Sequence, residues 1–202
     1  EHAVIKYKVD AKLEIPWTLI DLQTKVPFTV VRNEDLSTFP ELGLPQHVEE
    51  IKKFCWGWCG SRPLIIEIRL PKIGFVLGEN VYMAITYHNE SNTDVDYTNI
   101  SLIKKEKFIS RDPVTKHKIK KSKVIESLAD GVRKNSEAKI DHFLQIPQAL
   151  MTTNQLYSQI YQISYEIKIF VSTTGCSSSP IIKIPISIGN VGAREVPSIN
   201  IN

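Results

Sequence analysis

The chain has 202 residues, with 25 basic and 22 acidic side chains and a net charge of +3. This near-balance excludes binding of nucleic acid through bulk charge alone. A hydrophobic content of 42% excludes a globally disordered chain. No apolar run reaches the roughly 18 residues that a membrane helix needs, and no signal segment opens the chain. The length allows one large β domain or two smaller ones.

The first predicted element is a β-strand over residues 5–15, where apolar and charged residues alternate without exception. This period of two predicts one buried and one wet face, so the strand needs sheet partners. Either later segments supply them, or the chain is cut from something longer. A second strand is predicted from Lys25 to Val31, with Pro27 near its start, where a lost backbone donor is tolerated.

Residues 34–60 contain Pro40, Gly43 and Pro45 and are interpreted as an interdomain connector. Val48, Ile51 and Phe54 recur among charged residues at a spacing of three. This modest amphipathic pattern predicts a short helix over Gln46–Phe54.

Strands resume at Leu64 and continue to the end of the chain, separated by turns rich in Gly, Pro, Asn and Asp. The fold class is therefore all-β, an antiparallel β-sandwich of immunoglobulin-like type. The predicted strands cover Leu64–Leu70, Val81–His88, Tyr97–Ile109, Lys116–Leu128, Ala138–Ile146, Tyr161–Val171 and Ile181–Ile188.

No common catalytic or phosphate-binding motif occurs, which removes the simplest cases of an enzyme without excluding one with a cysteine-based or metal site. We assign no catalytic, cofactor-binding or metal-binding residue and expect no cofactor. The segment from Cys55 to Cys59 admits a zinc site with Cys176 and a histidine. Lipidation of a membrane-facing cysteine is another interpretation. Packing of the thiols and indoles at the domain junction is favoured. An odd number of cysteines favours a reducing compartment.

A lysine-rich hairpin around the Asp112-Pro113 turn is the main candidate binding element. On a two-stranded ribbon, such a cluster projects positive charge toward an anionic lipid surface or an acidic protein. Lysines that merely prevent edge pairing are the simpler alternative. Nucleic acid is disfavoured, because Phe108 is the one aromatic residue interleaved with the charges. The candidate contact residues are Lys104, Lys105, Lys107, Lys116, Lys118, Lys120, Lys121 and Lys123.

Two further groups have simple structural interpretations. Asn89, Asn92, Asp94 and Asp96 carry oxygen ligands suited to calcium, but they lack the glycine and distal glutamate of a calcium loop, so a turn is predicted. His142 lies at an inward position of its strand, with no neighbouring nucleophile, and is interpreted as a hydrogen-bonded core or junction histidine rather than a base.

Taken in order, several segments of the chain resemble the arrestin domain-containing proteins, or α-arrestins. The segment Pro71–Val81 is similar to the family's Lys-x-Gly-Tyr-x-x-Gly-Glu stretch, and Asn89-Glu90-Ser91-Asn92 resembles the turn that follows it. The family's other matching segments here are the cysteine cluster Phe54–Gly60, Leu144-Gln145-Ile146-Pro147, the strand with Ile163, Tyr165 and Ile167, and Pro185-Ile186-Ser187-Ile188-Gly189.

The resemblance implies a domain organisation. It places the last strands of an N-terminal arrestin domain in residues 1–33 and a hinge in residues 34–60. A complete C-terminal arrestin sandwich follows in residues 61–190, and residues 191–202 form a tail.

The resemblance also implies a function, that of a non-enzymatic cytoplasmic adaptor at the plasma membrane or endosomes. Such adaptors bind membrane cargo and link it to ubiquitin ligases and endocytic machinery. The chain contains no Pro-Pro-x-Tyr ligase-binding motif. The alternative is an extracellular immunoglobulin-like binding module, which the sequons at Asn89 and Asn99 favour. That module predicts a Cys–Trp–Cys core across two sheets, and here two of the cysteines are only four residues apart.

Overall fold

The computed structural model describes residues 5–14, 22–30, 33–54, 62–154, 158–175 and 178–192. These residues form β-strands and two short 3-10 helices, at Leu36–Thr38 and Pro40–Gly43. The chain divides into two compact units, Glu1–Asn33 and Glu34–Asn202. The strands are β1 (Tyr7–Leu13), β2 (Leu22–Phe28), β3 (Gln46–Lys52), β4 (Leu64–Leu70), β5 (Gly74–Val76), β6 (Asn80–Asn89), β7 (Val95–Ser110), β8 (Lys116–Val132), β9 (Ser136–Gln145), β10 (Tyr161–Thr173) and β11 (Ile181–Gly189).

The first unit is an antiparallel hairpin of β1 and β2, in register from Tyr7 opposite Phe28 to Leu13 opposite Leu22. The strand predicted from the alternation is confirmed, whereas β2 begins before the predicted Lys25. Every residue of both strands is exposed, including Val9 at 59%. The apolar face that the alternation predicted to be buried is therefore not covered by any described residue of this unit.

The second unit is a sandwich of two sheets, which confirms the predicted fold class. One sheet has five strands in the order β5-β11-β10-β7-β8, and the other has four in the order β3-β4-β6-β9. All neighbours pair antiparallel except β11 and β5. Non-sequential neighbours such as β10 and β7 bring distant segments of the chain side by side, which matters for the site described below.

The core lies between the two sheets and is built from alternate residues of each strand. Because side chains on a strand point to opposite faces in turn, every second residue of β4, β6, β10 and β11 is buried. The cluster is almost entirely aliphatic, with Phe75, Tyr87 and Tyr165 as its large aromatic members. Tyr87 Oη forms a hydrogen bond of 2.6 Å with Thr98 Oγ1, so its buried hydroxyl is satisfied.

The helix predicted for Gln46–Phe54 is wrong, since Gln46–Lys52 forms strand β3 at one edge of the four-stranded sheet. It pairs with β4 along seven residues, from Gln46 opposite Leu70 to Lys52 opposite Leu64. Val48 and Phe54 pack against the core, whereas Ile51 is 52% exposed. The spacing that suggested a helix joins residues on opposite faces of a strand, and pairing with β4 outweighs the weak helical pattern.

The turn between β4 and β6 is closed by a nearly buried ion pair. Lys72 Nζ lies 2.7 Å from Glu79 Oε1, and the backbone N–H of Val76 donates to Glu79 Oε2 at 2.8 Å. This arrangement holds Gly74–Val76 beside β11 as strand β5. Residues 77 and 78 form the turn that follows it.

Candidate functional site

The lysine-rich hairpin consists of β7 and β8, the two longest strands of the described chain. They pair from Val95 opposite Val132 to Ser110 opposite Lys116, as the sequence predicts. The strand β8 lies at the edge of the five-stranded sheet, and β7 separates it from β10. Position 131 requires glycine because the backbone of β7 comes very close: a Cβ there would lie 2.2 Å from the carbonyl oxygen of Val95.

The hairpin divides its lysines between two faces. Lys105 pairs with Lys121, whereas Glu106 pairs with Lys120, so the two pairs point to opposite sides of the sheet. Val124 is an extra residue in β8, at a β-bulge that reverses the alternation. The outer face receives Lys105, Lys107, Lys121 and Lys123, and the inner face receives Lys104, Lys116, Lys118 and Lys120.

Two lysines that the sequence analysis missed join the outer group. Lys168 in β10 and Lys183 in β11 are direct cross-strand partners, and Lys168 also pairs with Ser101 of β7. They are far from the hairpin in sequence, and only the strand order places them beside it. We define the basic patch as the six outward lysines of the five-stranded sheet: Lys105, Lys107, Lys121, Lys123, Lys168 and Lys183.

The basic patch surrounds a shallow depression of about 310 Å³. Four lysines line it together with the carboxylate of Glu166 and the uncharged residues Ile103, Ser122 and Ile181; the lysines are Lys121, Lys123, Lys168 and Lys183. Ile181 is one of the apolar residues at its border and is 48% exposed. The depression is open and therefore suits an extended or flat anionic surface better than an enclosed small molecule.

Two carboxylates neutralise part of the patch. Buried Glu166 is ion-paired with Lys105, and Glu126 is ion-paired with Lys123. Hydrogen bonds from Lys123 and Asn99 lower the pKa of Glu126 below its ordinary value. Among the residues that the structure describes, the other four lysines of the patch form no ion pair, so the surface keeps a net positive charge.

On the inner face, Lys104 and Glu106 are structural rather than available for binding. Their side chains are only 17% and 14% exposed and lie 3.2 Å apart. Tyr161 Oη donates to Glu106 Oε1 at 2.5 Å, which lowers the pKa of the carboxyl. Burial raises the pKa of Tyr165 to about 12, and its hydroxyl donates to the Met151 carbonyl. We therefore do not include Lys104 among the residues proposed to contact a partner.

The residues considered for calcium form a turn, as predicted. Asn89 is buried; its Oδ1 accepts from Ser91, and its Nδ2 donates to the carbonyls of Thr93 and Arg133. Asp94 Oδ1 accepts from the backbone N–H of Lys134 at 2.7 Å. These side-chain oxygens accept hydrogen bonds that hold the turn in place. Across the described ranges, no group of three acidic, histidine or cysteine side chains is arranged to hold a metal ion.

His142 and the cysteines complete the survey of predicted candidates. The imidazole faces inward from β9, but its buried Nε2 has no hydrogen-bond partner among the described residues, so the predicted hydrogen bond is missing at this atom. Burial lowers the pKa of His142, so the neutral form is favoured. Cys55, Cys59 and Cys176 lie outside the described residues.

No described helix is both long and apolar enough to cross a bilayer. Residues 60–193 match the family of the arrestin (or S-antigen) C-terminal domain. The match covers most of the chain and every strand of the sandwich except β3. The chain belongs to the arrestin family, and its general class is that of an arrestin-type adaptor or scaffold.

Proposed function

We propose that the protein is a cytoplasmic, non-enzymatic adaptor of the α-arrestin type, which binds membrane cargo and links it to ubiquitin ligases and endocytic transport. The observation that carries the proposal is the match to the arrestin C-terminal domain over residues 60–193. The ordered α-arrestin-like segments from Phe54 to Gly189 favour this branch of the family.

The basic patch supports contact between this adaptor and the anionic cytoplasmic leaflet. Each lysine near such a surface contributes about 1 kcal/mol of attraction, so a few lysines are enough to hold a protein that cargo also binds. The attraction falls off within a Debye length of about 8 Å at physiological salt. We expect the outer face of the five-stranded sheet to face the membrane and to place bound cargo close to it.

The environment of Asn89 supports a cytoplasmic setting over the extracellular alternative. Its Nδ2 is the atom to which a glycan would be attached, and it donates two hydrogen bonds within a buried turn. Glycosylation at this sequon would replace one of the two hydrogens on Nδ2, so at least one of these bonds would be lost from the folded domain. The sequon at Asn99 lies on a half-buried strand position, where Nδ2 donates to Glu126.

Proximity labelling in cells tests the adaptor role. We expect the labelled neighbours of the full chain to include integral membrane proteins and ubiquitin ligases. A variant with Ile167→Asp, which places a charge in the core, should lose these neighbours. A set of neighbours without integral membrane proteins would contradict the proposal.

Vesicle sedimentation tests the membrane contact separately. The full chain should bind phosphatidylcholine vesicles that contain phosphatidylserine better than vesicles without it. The double change Lys168→Glu and Lys183→Glu should weaken binding strongly, because both lysines line the depression and neither forms an ion pair with a described residue. The matched control is Lys139→Glu on the outer face of the other sheet, which should leave binding unchanged. Equal binding by all three proteins would contradict the proposed contact with lipid.

A further inference from the structure

The strand β3 forms an open edge of the four-stranded sheet. It pairs with β4 on one side, and no described strand lies on its other side. The backbone N–H and C=O groups on that side can pair with a further strand. The seven residues of β3 contain no proline, no glycine and no bulge, which are common devices that block such pairing.

The charges of β3 differ from those of β8, an edge strand of the other sheet. Residues Lys116–Lys123 of β8 include five lysines and no carboxylate, so a second copy of this edge would be repelled. By contrast, β3 and the residue after it carry charges of both signs: Glu49, Glu50, Lys52 and Lys53. This edge can therefore attract a second strand of matching charge order.

Most of these charges have no opposite charge nearby. Glu49, Glu50 and Lys53 form no ion pair with a described residue, and Lys52 Nζ donates to Ser178 Oγ at 2.9 Å. Glu50 and Lys52 are half-buried at inward positions of β3. Inward charges on an edge strand oppose pairing unless the incoming strand brings opposite charges. They therefore restrict which strand β3 can accept.

A second copy of β3 brings those opposite charges in one antiparallel register. When the two-fold axis passes through Ile51, Glu50 lies opposite Lys52 of the second copy. In the same register, Glu49 lies opposite Lys53 of the second copy. The symmetry repeats each pair, so every one of these charges gains an oppositely charged cross-strand partner.

Other symmetric registers are unfavourable. An axis through Glu49, Glu50 or Lys52 would place that charge opposite its own copy, and like charges directly opposite each other are destabilising. A shift by one residue would turn the inward face of one copy outward. The axis through Ile51 also sets Val48 opposite Phe54, two residues that already pack against the core.

We infer that the protein forms a two-fold symmetric dimer by antiparallel pairing of its β3 edges. The two four-stranded sheets then become one continuous sheet. The basic patch lies on the other sheet, so this contact does not press two patches together. A foreign peptide would need the same order of charges that the chain itself already carries. The inference goes beyond the adaptor role and depends on neither cargo nor lipid.

Analytical ultracentrifugation of the full chain tests the inference. The parent protein should show a concentration-dependent equilibrium between monomer and dimer. The change Glu49→Lys alone, or Lys53→Glu alone, should weaken the dimer about ten-fold or more, because each makes two attractive pairs repulsive. Both positions are exposed, so folding should be preserved, and circular dichroism checks this. The matched control is Lys139→Glu on β9, the opposite edge of the same sheet, which should leave association unchanged.

Mixing the two charge variants separates a lost contact from damaged folding. In an equal mixture, lysine at position 49 of one protein faces glutamate at position 53 of the other, and the remaining pair is Lys53 with Glu49 as in the parent. The mixture should therefore dimerise although each variant alone does not. Failure of the mixture to dimerise would overturn the proposed register.

A disulfide introduced at the axis gives an independent readout of the register. Directly opposed residues of antiparallel strands have Cα atoms about 4.5–5.5 Å apart, which lies within disulfide reach. Mild oxidation of the Ile51→Cys protein should yield a peptide linked through position 51 of both copies, identified by mass spectrometry. The Glu49→Cys protein should not link to itself, because its two copies of position 49 lie about 13 Å apart along the strands.

Two results would overturn the inference. The first is a parent protein that stays monomeric at every concentration, which would leave the β3 edge open or available to a different partner. The second is a dimer that persists in both charge variants and shows no link through position 51, since such a dimer uses another surface.

Discussion

The two sheets of the sandwich share one core but present outer faces of opposite character. The five-stranded sheet carries the basic patch, whereas the four-stranded sheet carries more acidic than basic groups among its described outward residues. On that second face, Glu67 lies between Arg69, His47 and His88, and His88 Nδ1 is 3.0 Å from Glu137. Charge is thus separated across the domain, which orients it in the field of a charged surface.

The inner faces differ as well. In the five-stranded sheet, the inward polar groups Lys104, Glu106 and Tyr161 satisfy one another. In the four-stranded sheet, inward His142 leaves Nε2 without a partner. The comparison teaches that an outward position tolerates charge freely, while an inward polar group is stable only with a partner or in its neutral form.

The largest effect should follow from removing the core that joins the two sheets. The change Ile167→Ala leaves a cavity beside fully buried neighbours and should lower the free energy of unfolding by about 2–5 kcal/mol. Urea denaturation measures this loss. Ile181→Ala on the outer face of the same sheet is the control and should change stability by no more than about 0.5 kcal/mol. Similar losses in both variants would contradict the assignment of inner and outer faces.

An intermediate effect is expected at the inner polar group of the five-stranded sheet. Tyr161→Phe removes the hydrogen bond to Glu106 and should cost about 1–2 kcal/mol. Because this bond lowers the pKa of Glu106, its contribution is present above the ordinary pKa of the carboxyl, 4.5, and is lost as the pH falls through the lowered value. Unfolding curves of both proteins should therefore converge in acid, and a constant difference at every pH would disprove the coupling.

The smallest effect should come from His142. Its folded-state pKa lies below the ordinary value of 6.5, so the unfolded chain binds a proton more readily, and stability should fall as the pH drops below about 6.5. His142→Leu should reduce this dependence between pH 7 and pH 5, a range in which Glu106 remains ionised. Parallel pH profiles for the parent and the variant would show that His142 does not contribute.

The alternation of apolar and polar residues predicted most strands of the sandwich, because pairing of amphipathic strands follows directly from it. The sequence prediction failed at Gln46–Phe54, where apolar residues three positions apart suggested a helix but the segment pairs with β4 as a strand. In β1 the alternation predicted the strand, yet the apolar face is exposed, since the pattern within one strand does not specify what lies opposite.

The candidate site could also be predicted only in part from the sequence. The lysines of the hairpin are visible in the sequence, but their division between two faces depends on the register and on the bulge at Val124. Lys168 and Lys183 join them only because β10 and β11 follow β7 in the sheet. Contacts between strands that are distant in the chain leave no local signal in the sequence, so the sequence did not predict that these two lysines join the patch.

The most direct test of the account is chemical footprinting of lysines on the intact protein with and without phosphatidylserine vesicles. Acetylation rates of Lys168 and Lys183 should fall when vesicles are present, while the rate of Lys139 on the opposite face should stay the same. Protection of Lys139 instead, or equal protection on both faces, would contradict the claim that the outer face of the five-stranded sheet is the docking surface.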